Sequence, residues 1–236
     1  MGLAMKKLIL KIWRENKTFI VFLSLMLLFR SAVADWNTVP TGSMKPTIEV
    51  GDRIWVNKLA YDLRVPFTSM SLYRVSDPVR GDIVVFDSAV SDIRLVKRVV
   101  GVPGDVVEMR DNRVYINGES LSYSSVKITD EFAELRENLV GVEHRVRVHS
   151  KPSTYANFEP VRVPSDQYLV LGDNRDNSAD SRAIGFVPRN EMIGRARHVV
   201  LSFNYDNFYI PRTERVLEPL DSQEGSKVSP SAEPEA

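Results

Sequence analysis

Cysteine is absent from the 236 residues of this chain, and histidine occurs only at His144, His149 and His198. The absence of cysteine excludes disulfide bridges, thiolate metal sites and a cysteine nucleophile. The histidines form no HExxH motif and no pair at metal-binding spacing, so we expect neither a metal nor another cofactor. Covalent catalysis by this chain would have to use a different side chain.

A net charge of one sign is also missing. Lys and Arg together number 31, and Asp and Glu together number 31, so the formal net charge is zero. Because nucleic-acid-binding domains carry a clear basic excess, this balance argues against a nucleic-acid partner. Hydrophobic residues make up 43% of the chain beside 26% charged residues, which excludes disorder of the whole chain. The length suits one main domain with a small insertion.

The strongest break in composition lies near the N-terminus. Residues 18–34 read TFIVFLSLMLLFRSAVA, an apolar run that only Arg30 interrupts. As a helix this run would extend about 26 Å, close to the roughly 30 Å hydrocarbon core of a bilayer. Arg30 lies near its end, where the side chain can reach the lipid headgroups. A transmembrane helix over residues 18–34 is therefore the first interpretation of this run.

The charges before this run predict its orientation. Five basic residues precede it against the single acidic residue Glu15. They are Lys6, Lys7, Lys11, Arg14 and Lys17. By the positive-inside rule, residues 1–17 stay in the cytoplasm, and the chain from Asp35 onward lies on the outer side of the plasma (inner) membrane. A cleavable signal peptide ending at Ala32-Val33-Ala34 is a second interpretation, and a core helix of a soluble domain is a third.

Short strands separated by turns dominate residues 35–212, so the sequence predicts a mainly β domain. The clearest predicted strands are 53–56, 83–86, 93–100, 106–109, 114–116 and 168–171. Asp111-Asn112 is predicted to be a hairpin turn. Residues 120–160 interrupt this pattern and predict an inserted cap with a helix over 130–139. Residues 213–236 contain few large apolar side chains and are predicted to be disordered.

Ser43 lies in a constrained segment just beyond the apolar run. Residues 38–48 read TVPTGSMKPTI, in which Pro40 and Pro46 stiffen the two sides and Gly42 allows unusual backbone angles. Such a segment would display the Ser43 hydroxyl. A linker turn is the simpler interpretation of the segment taken alone. The nucleophile elbow GxSxG is excluded, because Lys45 stands in place of its second glycine.

Lys97 is the second residue of chemical interest. Residues 93–100 read IRLVKRVV, and strand alternation places Lys97 on an otherwise apolar face. Burial of an unpaired ammonium costs several kcal/mol and lowers its pKa, which leaves a neutral amine that can act as a general base. Arg98 cannot take this role, because arginine stays charged. The alternative is that Lys97 extends to solvent or pairs with a carboxylate.

A third segment, residues 172–182, reads GDNRDNSADSR and follows a predicted strand. One interpretation is a weak cation site formed by three carboxylates, those of Asp173, Asp176 and Asp180, although the final Glu of an EF-hand loop is missing. The other is support of a buried amine. The Ser178 hydroxyl and the Asp180 carboxylate, itself held by Arg182, would then orient that amine.

Five segments, taken in order, resemble the bacterial type I signal peptidases, the membrane-bound Ser/Lys endopeptidases that remove signal peptides. The segments are PTGSMKPT (40–47), GDIVVF (81–86), KRVVGVPGD (97–105), GDNRDNSADSR (172–182) and GFVP (185–188). The match extends from the apolar run to about residue 196, and its preserved order makes it specific. The resemblance implies a coiled antiparallel β-sheet domain with an inserted cap, and an anchor that is not cleaved.

The resemblance also implies roles for single residues. Ser43 matches the family's nucleophile and Lys97 its general base. The Ser43 N–H and the Thr41 hydroxyl would form the oxyanion hole, with threonine standing where many relatives have serine. Ser178 matches the serine that orients the lysine in this family. Asp180 and Arg182 match the pair of residues that supports it.

The substrate cleft is predicted from the apolar residues around these positions. They are Val39, Pro40, Met44, Ile48, Leu95 and Val96. By resemblance, shallow pockets there accept small residues at the first and third positions before the cut, the A-x-A pattern. A filled apolar pocket has no room for a larger side chain.

Three functions are compatible with the sequence. The first is cleavage of signal-peptide-bearing preproteins as they emerge from the export machinery, by a Ser43 and Lys97 dyad. The second is a Ser/Lys protease of related fold with another substrate, such as a regulatory self-cleaving domain. The third is a non-catalytic, membrane-tethered envelope adaptor. A lysine on an apolar face, together with Ser43 and the polar segment 172–182, favours the first.

Overall fold

The computed structural model describes residues 2–68 and 70–220, which contain two helices, α1 (Gly2–Ala32) and α2 (Ser181–Ile184). Within these residues there are seventeen strands: β1 (Ala34–Thr38), β2 (Asp52–Asn57), β3 (Asp62–Arg64), β4 (Ser71–Arg74), β5 (Ile83–Ser88), β6 (Ile93–Gly101), β7 (Val106–Arg110), β8 (Arg113–Ile116), β9 (Glu119–Ser120), β10 (Ser122–Ile128), β11 (Phe132–Leu139), β12 (Val142–His149), β13 (Phe158–Arg162), β14 (Gln167–Leu171), β15 (Val187–Pro188), β16 (Met192–Asn204) and β17 (Ile210–Pro211). Short 3-10 turns span Lys58–Ala60, Thr154–Ala156, Arg189–Glu191 and Thr213–Arg215.

The strands pair in antiparallel fashion and form four sheets in the described part of the chain. The largest sheet has the order β1-β2-β16-β5-β6-β14-β15, and β17 pairs with β16. The strands β13-β7-β8-β9 form a second sheet, β10-β11-β12 a third and β3-β4 a fourth. The prediction of a mainly β, antiparallel architecture is confirmed, and each of the six predicted strands lies within an observed one.

Strand β5 shows why the centre of the large sheet reads as a continuous apolar run. Ile83 and Val85 belong to a core cluster on one face, while Val84 and Phe86 belong to a different cluster on the other face. A strand covered on both faces needs apolar side chains at successive positions. Strand β6 lies next to β5 in the same sheet, so its side chains are also largely removed from water.

The region 120–160 differs from the prediction in its local structure. Residues 130–139 were expected to form a helix, and this prediction is wrong, because β11 occupies Phe132–Leu139 and pairs with β10 and β12. Its Glu, Leu and Arg residues are good helix formers, but intrinsic propensity amounts to only a few tenths of a kcal/mol per residue, and strand pairing on both sides overrides it. By contrast, the hairpin turn predicted at Asp111-Asn112 is confirmed, with both residues at positive φ between β7 and β8.

The C-terminal segment, residues 213–220, corrects a second prediction. Residues 213–236 were predicted to be disordered, but Leu220 is buried in the core cluster that contains Met44 and Ile48. Arg215 forms an ion pair of 2.6 Å with the buried Asp52. The prediction was wrong here because it counted large apolar residues and missed one leucine and one arginine that have buried partners. Residues 221–236 lie outside the described part.

Helix α1 contains most of the predicted anchor. Several of its apolar side chains are exposed, namely Phe19, Phe22, Leu25 and Phe29. Near its end, Arg30 forms an ion pair of 2.9 Å with Asp35. Among residues 2–68 and 70–220, the structure holds no helix that combines the length and the apolar character needed to cross a bilayer. The transmembrane span over residues 18–34 stays a prediction.

Candidate active site

Ser43 lies in the segment between β1 and β2, residues 39–51, here called the Ser43 loop. The loop is held from below, because Val39, Met44 and Ile48 are buried in the hydrophobic core. Its ends are joined by backbone hydrogen bonds of 2.9 Å from Val39 N–H to the carbonyl of Asp52 and of 3.0 Å from Gly51 N–H to the carbonyl of Val39. Ser43 itself is half-buried. The fold therefore presents its hydroxyl from a fixed backbone.

Lys97 reaches this hydroxyl from the middle of β6. Its Nζ atom donates to Ser43 Oγ at 2.8 Å and to the carbonyl of Val96 at 3.0 Å. The residue is only 2% exposed. Burial disfavours the ammonium form and lowers the Lys97 pKa to about 8, although the charges of Asp180 and Asp173 act in the opposite direction. An amine that is about half neutral at pH 8 therefore lies within proton-transfer distance of a serine hydroxyl.

The acidic loop, residues 172–182, packs against the Ser43 loop and holds its own shape through Asp180. The Asp180 carboxylate accepts from the Gly172 N–H at 2.9 Å and pairs with Arg182 at 2.7 Å. Arg182 also donates to the carbonyl of Arg175 at 2.6 Å. The predicted pairing of Asp180 with Arg182 is present in the structure. The negative charge of Asp180 acts to raise the pKa of Lys97.

Ser178 lies in the same loop and is buried, yet in the described part of the chain its Oγ has no hydrogen-bond partner. A Cβ atom on Gly172 would clash with Ser178 and would lie 2.5 Å from the carbonyl oxygen of Ser43. Only glycine therefore allows the acidic loop to approach Ser43 this closely. The role of Ser178 in orienting Lys97 stays a prediction, since the hydrogen bonds of the Lys97 amine go to Ser43 and Val96.

The predicted substrate-lining and oxyanion residues fall into three groups. Three of them are buried in the core and anchor the Ser43 loop there, namely Val39, Met44 and Ile48. Leu95 and Val96 are half-buried, while Pro40 and Thr41 are exposed. The substrate pocket stays a prediction for all of these residues except Thr41. For Thr41, the role of oxyanion donor stays a prediction.

Sequence reasoning missed the buried ion pair beside this site. Arg98 forms two hydrogen bonds with Asp173, of 2.9 and 2.7 Å, and the second oxygen of Asp173 also accepts from the Thr47 hydroxyl of the Ser43 loop. Burial alone would raise the pKa of Asp173, but the charge and hydrogen bonds of Arg98 lower it. Alternation would have placed Arg98 on the face opposite Lys97, so the one available signal was a second charge in a buried-looking strand.

Asn174 is the other residue that the sequence did not single out. Its backbone N–H donates to the carbonyl of Ser43 at 3.0 Å, and its side-chain amide donates to the carbonyl of Gly42 at 3.0 Å. Gly42 was expected to use an unusual backbone angle, but it is not among the described residues with positive φ. The local backbone is thus held by Asn174 rather than by glycine freedom.

The cation-site interpretation of the acidic loop is wrong. Asp173 pairs with Arg98, Asp180 pairs with Arg182, and Asp176 accepts from the backbone N–H groups of His149 and Ser153. Carboxylates that are turned to separate partners cannot converge on one ion. Among residues 2–68 and 70–220, no group of three or more acidic, histidine or cysteine side chains has the arrangement of a metal site.

Comparison with known proteins identifies the family of this chain. Residues 12–201 match the family described as Signal peptidase, peptidase S26. Signal peptidase I of Pseudomonas fluorescens is 37% identical over 218 residues, which cover 85% of this chain and 77% of that protein. Signal peptidase I of Pseudomonas aeruginosa is 37% identical over 207 residues, covering 80% and 72%. Signal peptidase I T of Bacillus subtilis is 32% identical over 190 residues, covering 80% and 85%. The resemblance drawn from the sequence is confirmed, and the chain belongs to the signal peptidase family, peptidase S26, as a serine endopeptidase.

Proposed function

We propose that this chain removes signal peptides from exported preproteins, with Ser43 as nucleophile and Lys97 as general base. The observation that carries the proposal is the 2.8 Å hydrogen bond between Lys97 Nζ and Ser43 Oγ. A serine hydroxyl attacks a peptide efficiently only when a base takes its proton. With a pKa of about 8, Lys97 can be that base near neutral pH. The relatives named signal peptidase I support the substrate class.

The proposed reaction has two halves. Ser43 Oγ attacks the scissile carbonyl carbon while its proton passes to Lys97 Nζ, and the Ser43 N–H and the Thr41 hydroxyl stabilise the oxyanion. Lys97 then gives its proton to the leaving amine as the C–N bond breaks, which leaves an acyl-enzyme. In the second half Lys97 takes a proton from a water molecule as the water oxygen attacks the ester carbonyl carbon. The C–O bond to Ser43 then breaks, Lys97 returns the proton to Ser43 Oγ, and the signal peptide leaves with a free carboxyl group. This scheme requires no metal or other cofactor.

Three residues of the acidic loop support Lys97 in this scheme. The buried Ser178 hydroxyl has no other hydrogen-bond partner among the described residues, so it is available to the Lys97 amine. Asp180, held by Arg182, attracts the ammonium that forms during proton transfer. Because burial and the Asp180 charge act in opposite directions, the amine is able both to take a proton and to release it.

We further propose that the enzyme cuts after small residues, as in A-x-A. Met44 and Ile48 are fully buried under the Ser43 loop, so the space beneath the scissile bond is already filled. A pocket built on such a floor is shallow, and a large side chain would overpack it. The half-buried Leu95 and Val96 and the exposed Pro40 would form its sides.

The proposed location is the outer face of the plasma membrane, with residues 18–34 as an uncleaved anchor and residues 1–17 in the cytoplasm. The apolar side chains exposed on α1 and the basic residues before them support this arrangement. The test is protease added to spheroplasts, which should digest residues 58–212 while the N-terminus stays protected. Protection of residues 58–212 would contradict the orientation, and extraction of the full chain by alkaline carbonate would contradict the anchor.

Mass determination of the product tests the function itself. The full chain, purified in detergent, is incubated with a preprotein whose signal peptide ends in Ala-x-Ala. We expect one new N-terminus directly after that motif. Ser43→Ala should abolish the product while the melting temperature stays within a few degrees, since the change removes one half-buried hydroxyl. Cleavage by Ser43→Ala, or no cleavage by the wild type, would overturn the proposal.

A further inference from the structure

Asn174 contacts the main chain on both sides of the Cα atom of Ser43. Its N–H donates to the Ser43 carbonyl, and its Nδ2 donates to the Gly42 carbonyl, each at 3.0 Å. The side chain is almost completely buried. The peptide that precedes Ser43 carries both the Gly42 carbonyl and the Ser43 N–H, the proposed oxyanion donor. Asn174 therefore controls the orientation of that peptide.

The Asn174 amide has one arrangement consistent with these contacts. The Gly42 carbonyl can only accept, so Asn174 must turn its NH₂ group toward it, and its Oδ1 then faces the other way. There Oδ1 lies 3.2 Å from the Nε2 atom of His149. Because Oδ1 also only accepts, the Nε2 atom of His149 must carry the proton and donate. His149 thereby selects the amide orientation that holds Gly42.

His149 is itself fixed, because the end of β12 is bonded to the acidic loop. The Arg147 N–H donates to the carbonyl of Asp173 at 2.8 Å, and the Arg175 N–H donates to the carbonyl of Arg147 at 2.9 Å. The His149 N–H donates to the Asp176 carboxylate at 2.9 Å. The three-stranded sheet β10-β11-β12 thus has a continuous hydrogen-bonded path to the Ser43 loop.

We propose that His149, at the end of β12 in the sheet β10-β11-β12, is a positioning residue of the enzyme. Through Asn174, His149 holds the Gly42-Ser43 peptide so that the Ser43 N–H points into the oxyanion site and Ser43 Oγ stays within reach of Lys97. His149 acts through Asn174, not on the substrate. This inference rests on the proposed function, because it assigns a step to the Ser43 and Lys97 dyad.

The test compares three full-chain variants in detergent with the wild type, using one Ala-x-Ala peptide. His149→Leu removes the donor, and we expect kcat to fall about 10- to 100-fold while KM changes less than about twofold, as a displaced catalytic group produces. His149→Gln can place an amide N–H where Nε2–H lies, so it should recover to within about threefold of the wild type. His198→Leu is the matched control, because His198 is exposed on β16, and it should leave kcat unchanged.

Each outcome decides the question. A folded His149→Leu enzyme with wild-type kcat would overturn the proposed positioning role of His149. A His149→Gln enzyme as slow as His149→Leu would overturn it as well. If His149→Leu does not fold, His149→Asn is measured in its place, because its shorter amide stays polar but does not reach Asn174. A double-mutant cycle of His149→Leu with Asn174→Ala adds a second criterion. If His149 acts through Asn174, the losses in kcat should be far from additive, and additive losses would overturn the proposed role of His149. An inactive wild type would instead contradict the proposed function.

Discussion

The Nζ atom of Lys97 lies 2.8 Å from the Oγ atom of Ser43, although the two residues are 54 positions apart in the chain. Neither side chain has to move for a proton to pass between them. Lys97 is placed by a central strand that is covered on both faces, and Ser43 by a loop whose underside is buried in the core. Their arrangement is therefore preorganised by the fold.

Activity should rise with pH through a midpoint near 8. Burial lowers the Lys97 pKa to about 8, and only the neutral amine accepts the Ser43 proton. About one tenth of the molecules carry that amine at pH 7 and about nine tenths at pH 9. The measurement is kcat on a peptide from pH 6 to 10, with Lys97→Arg as control, which should be inactive throughout. A flat profile, or an active Lys97→Arg enzyme, would exclude Lys97 as the base.

The stability of the wild type relative to Lys97→Met should also depend on pH. The pKa of Lys97 is 10.5 in the unfolded reference and about 8 in the folded chain, so between these values the unfolded state binds more protons. The wild type should then gain stability relative to Lys97→Met as pH rises from 8 to 10.5, and the difference should be constant below 8. Melting temperatures at pH 7, 9 and 10.5 check this. A difference that does not change would contradict the lowered pKa.

Loss of the buried Arg98–Asp173 pair should cost far more stability than loss of an exposed pair. The side chains of Arg98 and Asp173 are 3% and 1% exposed, whereas those of Arg94 and Asp87 are 42% and 59% exposed. Asp173→Ala leaves the buried Arg98 guanidinium without its carboxylate partner and should lower the free energy of unfolding by about 3 to 5 kcal/mol. Asp87→Ala should lower it by about 0 to 1 kcal/mol. Urea unfolding of both variants gives the comparison, and equal losses would show that burial does not decide.

Removal of the C-terminal segment should destabilise the Ser43 loop. Arg215 donates to the carbonyl of Thr47 at 3.1 Å, and Leu220 is buried with Met44 and Ile48. A chain that ends at Leu220 keeps these contacts and is the reference for melting temperature and kcat. A chain that ends at Arg212 should lose both stability and kcat. Leu220→Ala alone should cost about 2 to 5 kcal/mol of unfolding free energy. A fully active chain ending at Arg212 would contradict this role.

Substrates with Ala at the first and third positions before the cut should react at least about ten times faster than those with Leu or Lys there. A free-energy difference of about 1.4 kcal/mol already produces that ratio, and overpacking of a filled apolar site or loss of lysine hydration exceeds it. A peptide series varied only at these two positions gives the kcat/KM values. Equal values for Ala and Leu would indicate a generalist Ser/Lys protease.

Two residues of the candidate site were accessible from sequence. Lys97 was recognised because a charge within an alternating apolar strand needs an explanation, and Ser43 because two prolines and a glycine flank it. The hairpin turn at Asp111-Asn112 was also accessible, because two such residues side by side tolerate positive φ. These signals are local. Each depends on residues a few positions apart, so the order of the motifs was enough to identify the family.

The tertiary structure alone decided what joins distant segments. Arg98 and Asp173 are 75 positions apart, and Leu220 is buried in the same core cluster as Met44. Strand β11 forms where a helix was expected, and its turn puts Val140 at positive φ, which no local preference for valine predicts. The acidic loop can approach Ser43 closely only because position 172 is glycine, which no local pattern predicts. The physical reason is common to all of these: burial and pairing free energies depend on the partner that folding brings near, and a local pattern carries no record of that partner.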